Sequence, residues 1–349
     1  MYTNFRSERV VEIIAVSIAS VIEFHGGAVM RRYPVVFSLF LMAGVLLGQH
    51  LFTSDSAPSP YQVVHGWPQL PEGFSFGQVS GIGVDSHNHV FVFHRGKQHS
   101  LMMFDGSTGK LLKSFGEGMF AGTHGLKIDD HDNIWLTDVA LNQVFKFSHD
   151  GELLMTVGAK NVPGWDGKHF DKPTDIAIAP NGDFYVSDGY GNSRVAKFDA
   201  KGNFLMDWGT KGSEPGQFNL PHGIALDPQG RVYVADRANS RIQVFDANGK
   251  FITLWKSAEL GRPWNIRFHN GFLYVVDGGD VIHPSLWPYR TAIMKLDLTG
   301  KVVEKWGRWG KYDGMLYWPH CIDIAPNGDI YIGDVDQGMR AQKFVRIAN

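Results

Sequence analysis

The chain has 349 residues, 44% of them hydrophobic and 13% aromatic, and its formal net charge is −2 at pH 7. This composition can bury a large core, and the near-neutral charge argues against a nucleic-acid partner, which requires a basic surface. The single cysteine, Cys321, excludes a disulfide within the chain.

The first predicted element is an apolar segment near the N-terminus. Arg31 and Arg32 precede an apolar run over 33–48, and a basic region followed by an apolar region is the order found in a secretory signal. We therefore expect an N-terminal extension or cytoplasmic tail over 1–29 and a hydrophobic helix over 30–52 that acts as a signal peptide or signal anchor. The protein is then exported, periplasmic or extracellular, and it stays attached to the membrane if this segment is not cleaved.

From residue 66 onwards, one pattern occurs six times. Each copy has a strand of alternating apolar residues, a turn rich in Asp, Asn and Gly, and a second strand that in five copies ends in Asp. Third and fourth strands follow in most copies. Four short strands in each unit of about 40 to 50 residues are typical of a β-propeller blade. The six first strands are predicted at 79–84, 124–128, 174–178, 222–226, 264–268 and 320–324.

The six units predict an all-β fold, a six-bladed propeller over 66–349 that forms one catalytic domain. The last unit ends after its third strand, because the chain stops at Asn349. Residues 53–65 are expected to form a linker and a ring-closing strand, which at 61–64 would supply the missing fourth strand. We expect the protein to be a monomer.

Three histidines occupy equivalent positions in alternate units. His124, His222 and His320 begin the first strands of blades two, four and six, at a constant spacing of 98 residues. Alternate blades of a six-fold ring lie 120° apart, so the three imidazoles should converge on the central channel. This is the open three-ligand geometry of a catalytic zinc. The alternative for each histidine taken alone is a polar side chain that fills a narrow channel. The equivalent positions in the other blades hold Ser80, Thr174 and Trp264.

Two arginines and one tyrosine follow the second strands at the same end of the ring. Arg95 and Arg237 belong to opposite blades and could hold a substrate carboxylate; a salt bridge between blades is the alternative for Arg237. In blade one His94 replaces the Asp that ends the other second strands, which favours a substrate role for Arg95. Tyr190, close to zinc and an arginine, could act as a general base.

A His-x-His pair, His87 and His89, lies in the first turn of blade one. Such a pair can bind a metal ion, but the equivalent turns of other blades hold ordinary turn residues. The sequence therefore favours a solvated turn here.

Several segments together resemble the peptidyl-α-hydroxyglycine α-amidating lyases, or peptidylamidoglycolate lyases, which are six-bladed propellers of the NHL-repeat type. The resemblance spans 66–349 and depends on the His-Arg-Gly motif at 94–96, the Ser-Asp-Gly-Tyr motif at 187–190 and the three histidine motifs. It implies a zinc-dependent carbon–nitrogen lyase that cleaves a peptidyl or acyl α-hydroxyglycine into an amide and glyoxylate. In this family pattern His124, His222 and His320 match the zinc ligands, Tyr190 the general base, Arg95 the catalytic arginine, and Arg237 a second arginine of the site.

The chain departs from the family pattern beside the third histidine. The resemblance implies a structural calcium held by the backbone carbonyls of Ile82 and Leu126 and by an Asp directly after that histidine. Here Cys321 stands in the place of the Asp, and it is a poor ligand for calcium, so calcium binding is left open. Trp318 replaces a methionine in the wall of the substrate pocket.

Two other functions are compatible with the residues alone. One is a non-catalytic NHL propeller, tethered to the membrane, that serves as a binding scaffold. The other is a different metal-dependent propeller hydrolase, which ranks last because such sites usually bind calcium through carboxylate and Asn ligands.

Overall fold

The computed structural model describes residues 59–279 and 291–348, and these form six antiparallel sheets of four strands each. The fold is therefore all-β, a six-bladed propeller, as predicted. The predicted extension over 1–29, the hydrophobic helix over 30–52 and the first part of the linker lie outside the described residues. Within the described ranges, no helix has both the length and the apolar character that a membrane span requires.

In blades one to five the four strands follow one another in chain order, and blade six adds an early strand to three consecutive strands. Blade one contains β2 Val79–Val84, β3 His89–His94, β4 Leu101–Asp105 and β5 Leu111–Phe115; blade two contains β6 Thr123–Ile128, β7 Ile134–Asp138, β8 Gln143–Phe147 and β9 Leu153–Val157. Blade three contains β10 Pro173–Ile178, β11 Phe184–Asp188, β12 Arg194–Phe198 and β13 Phe204–Trp208; blade four contains β14 Pro221–Leu226, β15 Val232–Asp236, β16 Arg241–Phe245 and β17 Phe251–Trp255. Blade five contains β18 Pro263–His269, β19 Phe272–Asp277, β20 Ala292–Leu296 and β21 Val302–Trp306; blade six contains β22 Pro319–Ile324, β23 Ile330–Asp334, β24 Arg340–Arg346 and the early strand β1 Tyr61–Val63.

The last blade is completed by a strand from the beginning of the propeller. β1 pairs antiparallel with β24, with Tyr61 opposite Arg346 and Val63 opposite Phe344. The two ends of the described chain therefore share one sheet, and this sheet joins the first blade to the last.

The hydrophobic core lies between adjacent blades rather than at the centre of the ring. The buried side chains form six clusters, one at each interface between neighbouring sheets. At the interface of blades two and three, for example, Trp135 packs against Phe184 with ring centroids 4.8 Å apart. Because the sheets bury their apolar faces against one another, the polar ends of the first strands are left to line the central channel.

The first strands carry a β-bulge near their N-terminal ends. The register with the second strand shifts between Thr123 and Leu126, between Pro221 and Ile224, and between Pro319 and Cys321. Each shift coincides with one of the three histidines. A bulge turns a side chain away from the regular alternation of the strand, and these bulges direct the imidazoles into the channel.

Candidate metal centre

The structure brings His124, His222 and His320 to one point on the axis of the ring. Their ring centroids lie 4.6 to 4.9 Å apart, and all three side chains are buried. One nitrogen of each imidazole lies within 4.8 Å of those of the other two. The equal spacing in the sequence thus corresponds to a close cluster in space.

Each imidazole is oriented by a backbone carbonyl of the next blade. Nδ1 of His124 donates to the Thr174 carbonyl at 2.6 Å, and Nδ1 of His222 donates to the Trp264 carbonyl at 2.6 Å. Nδ1 of His320 donates to the Ser80 carbonyl at 2.8 Å. The three acceptors are the residues at the equivalent positions in blades three, five and one. A proton held on Nδ1 leaves the lone pair of Nε2 available to a metal ion.

The electrostatic environment keeps these imidazoles neutral. Burial is the largest cause of the lowered pKa of each, with the charges of Arg95 and Arg237 adding to it, and the pKa of His124 falls to about 3. Nε2 of His320 is buried without a hydrogen-bond partner, an arrangement that costs free energy unless a ligand compensates it. Neutral imidazoles with converging lone pairs, one of them unsatisfied, fit a bound metal ion.

Tyr190 lies against the same group of nitrogen atoms. Its hydroxyl is 3.2 Å from Nε2 of His124 and 3.1 Å from Nε2 of His222. The loop after β11 carries this tyrosine, and its side chain is 38% exposed. The hydroxyl is therefore both next to the histidines and open to a ligand that enters the channel mouth.

Arg237, which follows the second strand of the adjacent blade four, contacts Tyr190. One guanidinium nitrogen, Nη1, donates to the Tyr190 hydroxyl at 3.4 Å, and the guanidinium carbon stands 3.6 Å above the centre of the Trp264 ring. The neighbouring carboxylate, Asp236, pairs with Arg241 of the same blade at 2.7 Å. The stacking on Trp264 thus presents the charge of Arg237 towards Tyr190.

Arg95 is held at the mouth by two acceptors. Its Nη1 donates to Oε1 of Gln78 at 2.6 Å, and its Nε donates to the carbonyl of Thr123, the residue before the first histidine, at 3.2 Å. The side chain is exposed. These contacts set the guanidinium beside His124 and leave part of its donor fork accessible to a carboxylate.

The wall beside the third histidine is aromatic. Trp318 lies 5.7 Å from Trp264, and Trp264 lies 5.8 Å from His222 and 5.6 Å from His320, measured between ring centroids. Trp264 was not among the predicted site residues. Its position in the repeat, equivalent to the histidines, was the signal that could have identified it.

The backbone carbonyls of Ile82 and Leu126, which were considered as calcium ligands, face the buried side chain of Arg267. Both carbonyls accept hydrogen bonds from Nη2 of Arg267, at 3.3 Å and 2.6 Å respectively. The same guanidinium approaches Asp175 and Asp323 at 3.6 Å and 3.5 Å. A buried cationic side chain therefore already occupies the oxygen atoms that calcium would need, and these residues do not fit a calcium ion.

Residues 170–198 and 218–245 match the family model described as NHL repeat. Peptidyl-glycine alpha-amidating monooxygenase A of Xenopus laevis is 36% identical over 301 residues, which cover 77% of this chain and 31% of that protein. The probable peptidyl-alpha-hydroxyglycine alpha-amidating lyase of Caenorhabditis elegans is 36% identical over 294 residues, which cover 74% of this chain and 80% of that protein.

Among solved structures, the chain is similar to a streptogramin B lyase. The TM-score is 0.58 at 18% identity, and the match covers 82% of this chain and 97% of the other. At this identity the likeness supports the propeller fold alone. The chain spans about a third of the length of the longer curated relatives that it matches.

Proposed function

Because the chain belongs to the peptidyl-α-hydroxyglycine α-amidating lyase family, we propose that it cleaves the carbon–nitrogen bond of an α-hydroxyglycine. The products would be an amide and glyoxylate. The substrate class is a small peptide or an acylated α-hydroxyglycine, whose carboxylate and hydroxyl groups need a cation and a base respectively.

The observation that carries this proposal is the placement of the Tyr190 hydroxyl. It lies within 3.2 Å of two imidazole nitrogens and 3.4 Å from an arginine nitrogen. A metal site that only stabilises the fold does not require a phenol and a guanidinium at its open side. Acid–base chemistry on a bound hydroxyl group requires both.

We assign the metal site to zinc, held by Nε2 of His124, His222 and His320. Zinc bound by three imidazoles with an open position supplies Lewis acidity, which makes a substrate hydroxyl easier to deprotonate. The carbonyl acceptors on the three Nδ1 atoms keep the imidazoles in the tautomer that the ion requires.

The remaining roles follow from the positions of the side chains. Tyr190 accepts the proton of the substrate hydroxyl as the carbonyl of glyoxylate forms. The carbon–nitrogen bond breaks, its electron pair stays on the amide nitrogen, and a proton is delivered to that nitrogen, so no oxidant or reductant is consumed. Arg95 and Arg237 hold the carboxylate that leaves with glyoxylate, and Trp318 forms part of the pocket wall.

The test is a glyoxylate assay with α-hydroxyhippurate or an α-hydroxyglycine peptide, combined with zinc analysis. His222→Ala should lose activity together with the zinc ion of this site, because one of its three ligands is removed. Tyr190→Phe should keep its zinc and lose roughly 10²- to 10⁴-fold in kcat, the usual contribution of a general base. Arg95→Lys should raise KM more than it lowers kcat.

Tyr312→Phe is the matched control, since Tyr312 is 78% exposed, and it should behave as the wild type. Zinc-loaded protein that releases no glyoxylate from either substrate would contradict the proposed reaction. That result would favour a non-catalytic binding scaffold or a different metal-dependent propeller hydrolase instead.

Export of the protein is a separate proposal that depends on residues 30–52. Cell fractionation, with N-terminal sequencing of the mature chain, would distinguish a cleaved signal peptide from a membrane anchor. Recovery of the full-length chain in the cytoplasm would contradict export. The monomeric state is checked by light scattering of the purified protein.

A further inference from the structure

A second cluster of histidines lies far from the three at the channel mouth. In blade one, His87 belongs to the turn between β2 and β3, and His89 is the first residue of β3. In blade two, His149 belongs to the turn between β8 and β9. The turn in blade one follows the C-terminal end of β2, whereas Ser80, whose carbonyl accepts the hydrogen bond of His320, lies near the N-terminal end of the same strand. Five residues of extended chain span roughly 16 Å, so the two clusters lie at opposite faces of the ring.

A buried carboxylate joins the histidines of the two blades. Oδ2 of Asp85 lies 2.8 Å from Nδ1 of His89 and 2.9 Å from Nε2 of His149. The other oxygen, Oδ1, accepts the backbone N–H groups of His87 and His89 at 2.9 Å and 2.7 Å. Asp85 is therefore held in place by the backbone of its own turn, and its second oxygen points towards the imidazoles.

His87 completes the group. Its ring stacks on that of His89 at 5.8 Å with an interplanar angle of 17°, and lies 6.1 Å from the ring of His149. One donor atom from each of the four side chains lies within 4.8 Å of the others. The side chains of His89 and His149 are 26% and 31% exposed, and that of His87 is 66% exposed. An ion can thus reach the group from solvent.

We propose that Asp85, His87, His89 and His149 form a second metal site, for a divalent transition metal of the zinc type. Three imidazole nitrogens and one carboxylate oxygen match the ligand preferences of such ions. Tetrahedral ligands at about 2.0 to 2.1 Å from zinc lie roughly 3.3 Å apart. The donor atoms need only small movements to reach that spacing, and the exposed His87 can rotate to complete it.

The consequence of this site is a link between blades one and two. The ligands come from both blades, so a bound ion would hold the two sheets together at the face opposite the channel mouth. The site is structural in this interpretation, since no ligand belongs to the first cluster. If no metal ion binds at this second site, the proposed lyase reaction is unaffected.

The alternative is an ion-pair cluster without a metal, in which Oδ2 of Asp85 accepts hydrogen bonds from His89 and His149. The two possibilities differ in metal stoichiometry. Full-length protein without a polyhistidine tag should bind about two zinc ions per chain after dialysis at pH 7.5, and the His124→Ala, His222→Ala, His320→Ala triple variant should keep about one.

His149→Gln should lose about one zinc ion per chain and keep its lyase activity. His87→Gln is the second variant, because its side chain is largely exposed and its replacement cannot disturb folding; it should weaken zinc binding at this site at least tenfold. Cobalt added to the triple variant should give the visible absorption of a four-coordinate site, and this absorption should be lost with His149→Gln.

His65→Gln is the matched control, because His65 pairs with Asp313 at the surface and belongs to neither histidine cluster of the described residues. This variant should bind as much zinc as the wild type. A triple variant that binds no zinc at 10-fold excess, or a His149→Gln variant with unchanged stoichiometry, overturns the proposal and identifies the group as an ion-pair cluster.

Discussion

At the residue scale, hydrogen-bond acceptors decide what each histidine can do. The imidazoles at the channel mouth donate through Nδ1 and present Nε2 to the axis. His94 has the opposite arrangement: its Nδ1 accepts the N–H groups of Gly77 and Gly96, and its Nε2 donates to the His99 carbonyl. His94 thus replaces, as a neutral acceptor, the aspartate that ends the other second strands.

The environment of His94 predicts a loss of stability in acid. Burial lowers its pKa to about 4, whereas an imidazole in the unfolded chain titrates near 6.5. Between these values the unfolded state binds the proton and the folded state does not. Above pH 6.5 His94 is neutral in both states and does not lower the free energy of unfolding. As the pH falls from 6.5 towards 4, proton binding to the unfolded state lowers the free energy of unfolding by at most about 3 kcal/mol.

Urea unfolding at several pH values measures this effect. His94→Gln keeps an acceptor oxygen that does not titrate, so its free energy of unfolding should fall less steeply than that of the wild type between pH 6.5 and 4. The other histidines contribute equally to both proteins. Parallel profiles would show that His94 is protonated in the folded state.

At the element scale, the bulge in each first strand requires a small residue after the histidine. The residues in this position are Gly125, Gly223 and Cys321. A Cβ atom on Gly223 would lie 2.7 Å from Cα of Asn265 and 2.9 Å from the backbone nitrogen of Ile266. The next blade approaches so closely here because its carbonyl must reach Nδ1 of the histidine.

Gly223→Ala should therefore displace β14 and the imidazole of His222. We expect a loss of about 1 to 3 kcal/mol in the free energy of unfolding, the usual cost of overpacking, together with weaker zinc binding. Chemical denaturation and competition with a zinc chelator measure the two effects. Cys321→Ala is the matched control, since a side chain already fits in blade six, and it should retain zinc. Unchanged zinc affinity in Gly223→Ala would contradict this account of the bulge.

At the scale of the whole molecule, one buried arginine connects most of the ring. Arg267 of blade five reaches carbonyls of blades one and two, at Ile82 and Leu126, and carboxylates of blades three and six, at Asp175 and Asp323. These residues surround the channel axis. The guanidinium thus provides the positive charge that holds oxygen atoms from several blades together.

This arrangement predicts that the protein does not depend on calcium. A calcium chelator should change neither the melting temperature nor the activity of the wild type. Arg267→Ala should cost about 3 to 5 kcal/mol, because it removes the guanidinium beside Asp323 and leaves Asp175 with Lys127, 3.6 Å away, as its cationic neighbour. Added calcium should partly restore the melting temperature of this variant, since two carboxylates and two carbonyls are suitable calcium ligands.

Arg267→Lys is the control for charge. It keeps a cation at the axis and should show no response to calcium. A wild-type protein whose melting temperature falls with the chelator and recovers with calcium would contradict the role assigned to Arg267.

Local patterns along the chain were sufficient to predict the propeller. Alternating apolar residues and Asp, Asn and Gly turns are local signals, so the six blades could be predicted from short segments. The constant spacing of His124, His222 and His320 then predicted their convergence, because a closed ring places equivalent positions symmetrically around its axis.

The groups that surround these histidines come from distant parts of the chain and became visible in the folded protein. The carbonyl of Ser80 lies 240 residues from His320, and Ile82 lies 185 residues from Arg267. His149 joins Asp85 from 64 residues away. Such contacts depend on how neighbouring blades face one another across the ring, and no local pattern encodes that geometry. For this reason the sequence identified the three histidines at the channel mouth and noted the His87–His89 pair, but it identified neither Arg267 at the axis nor the contact of that pair with Asp85 and His149.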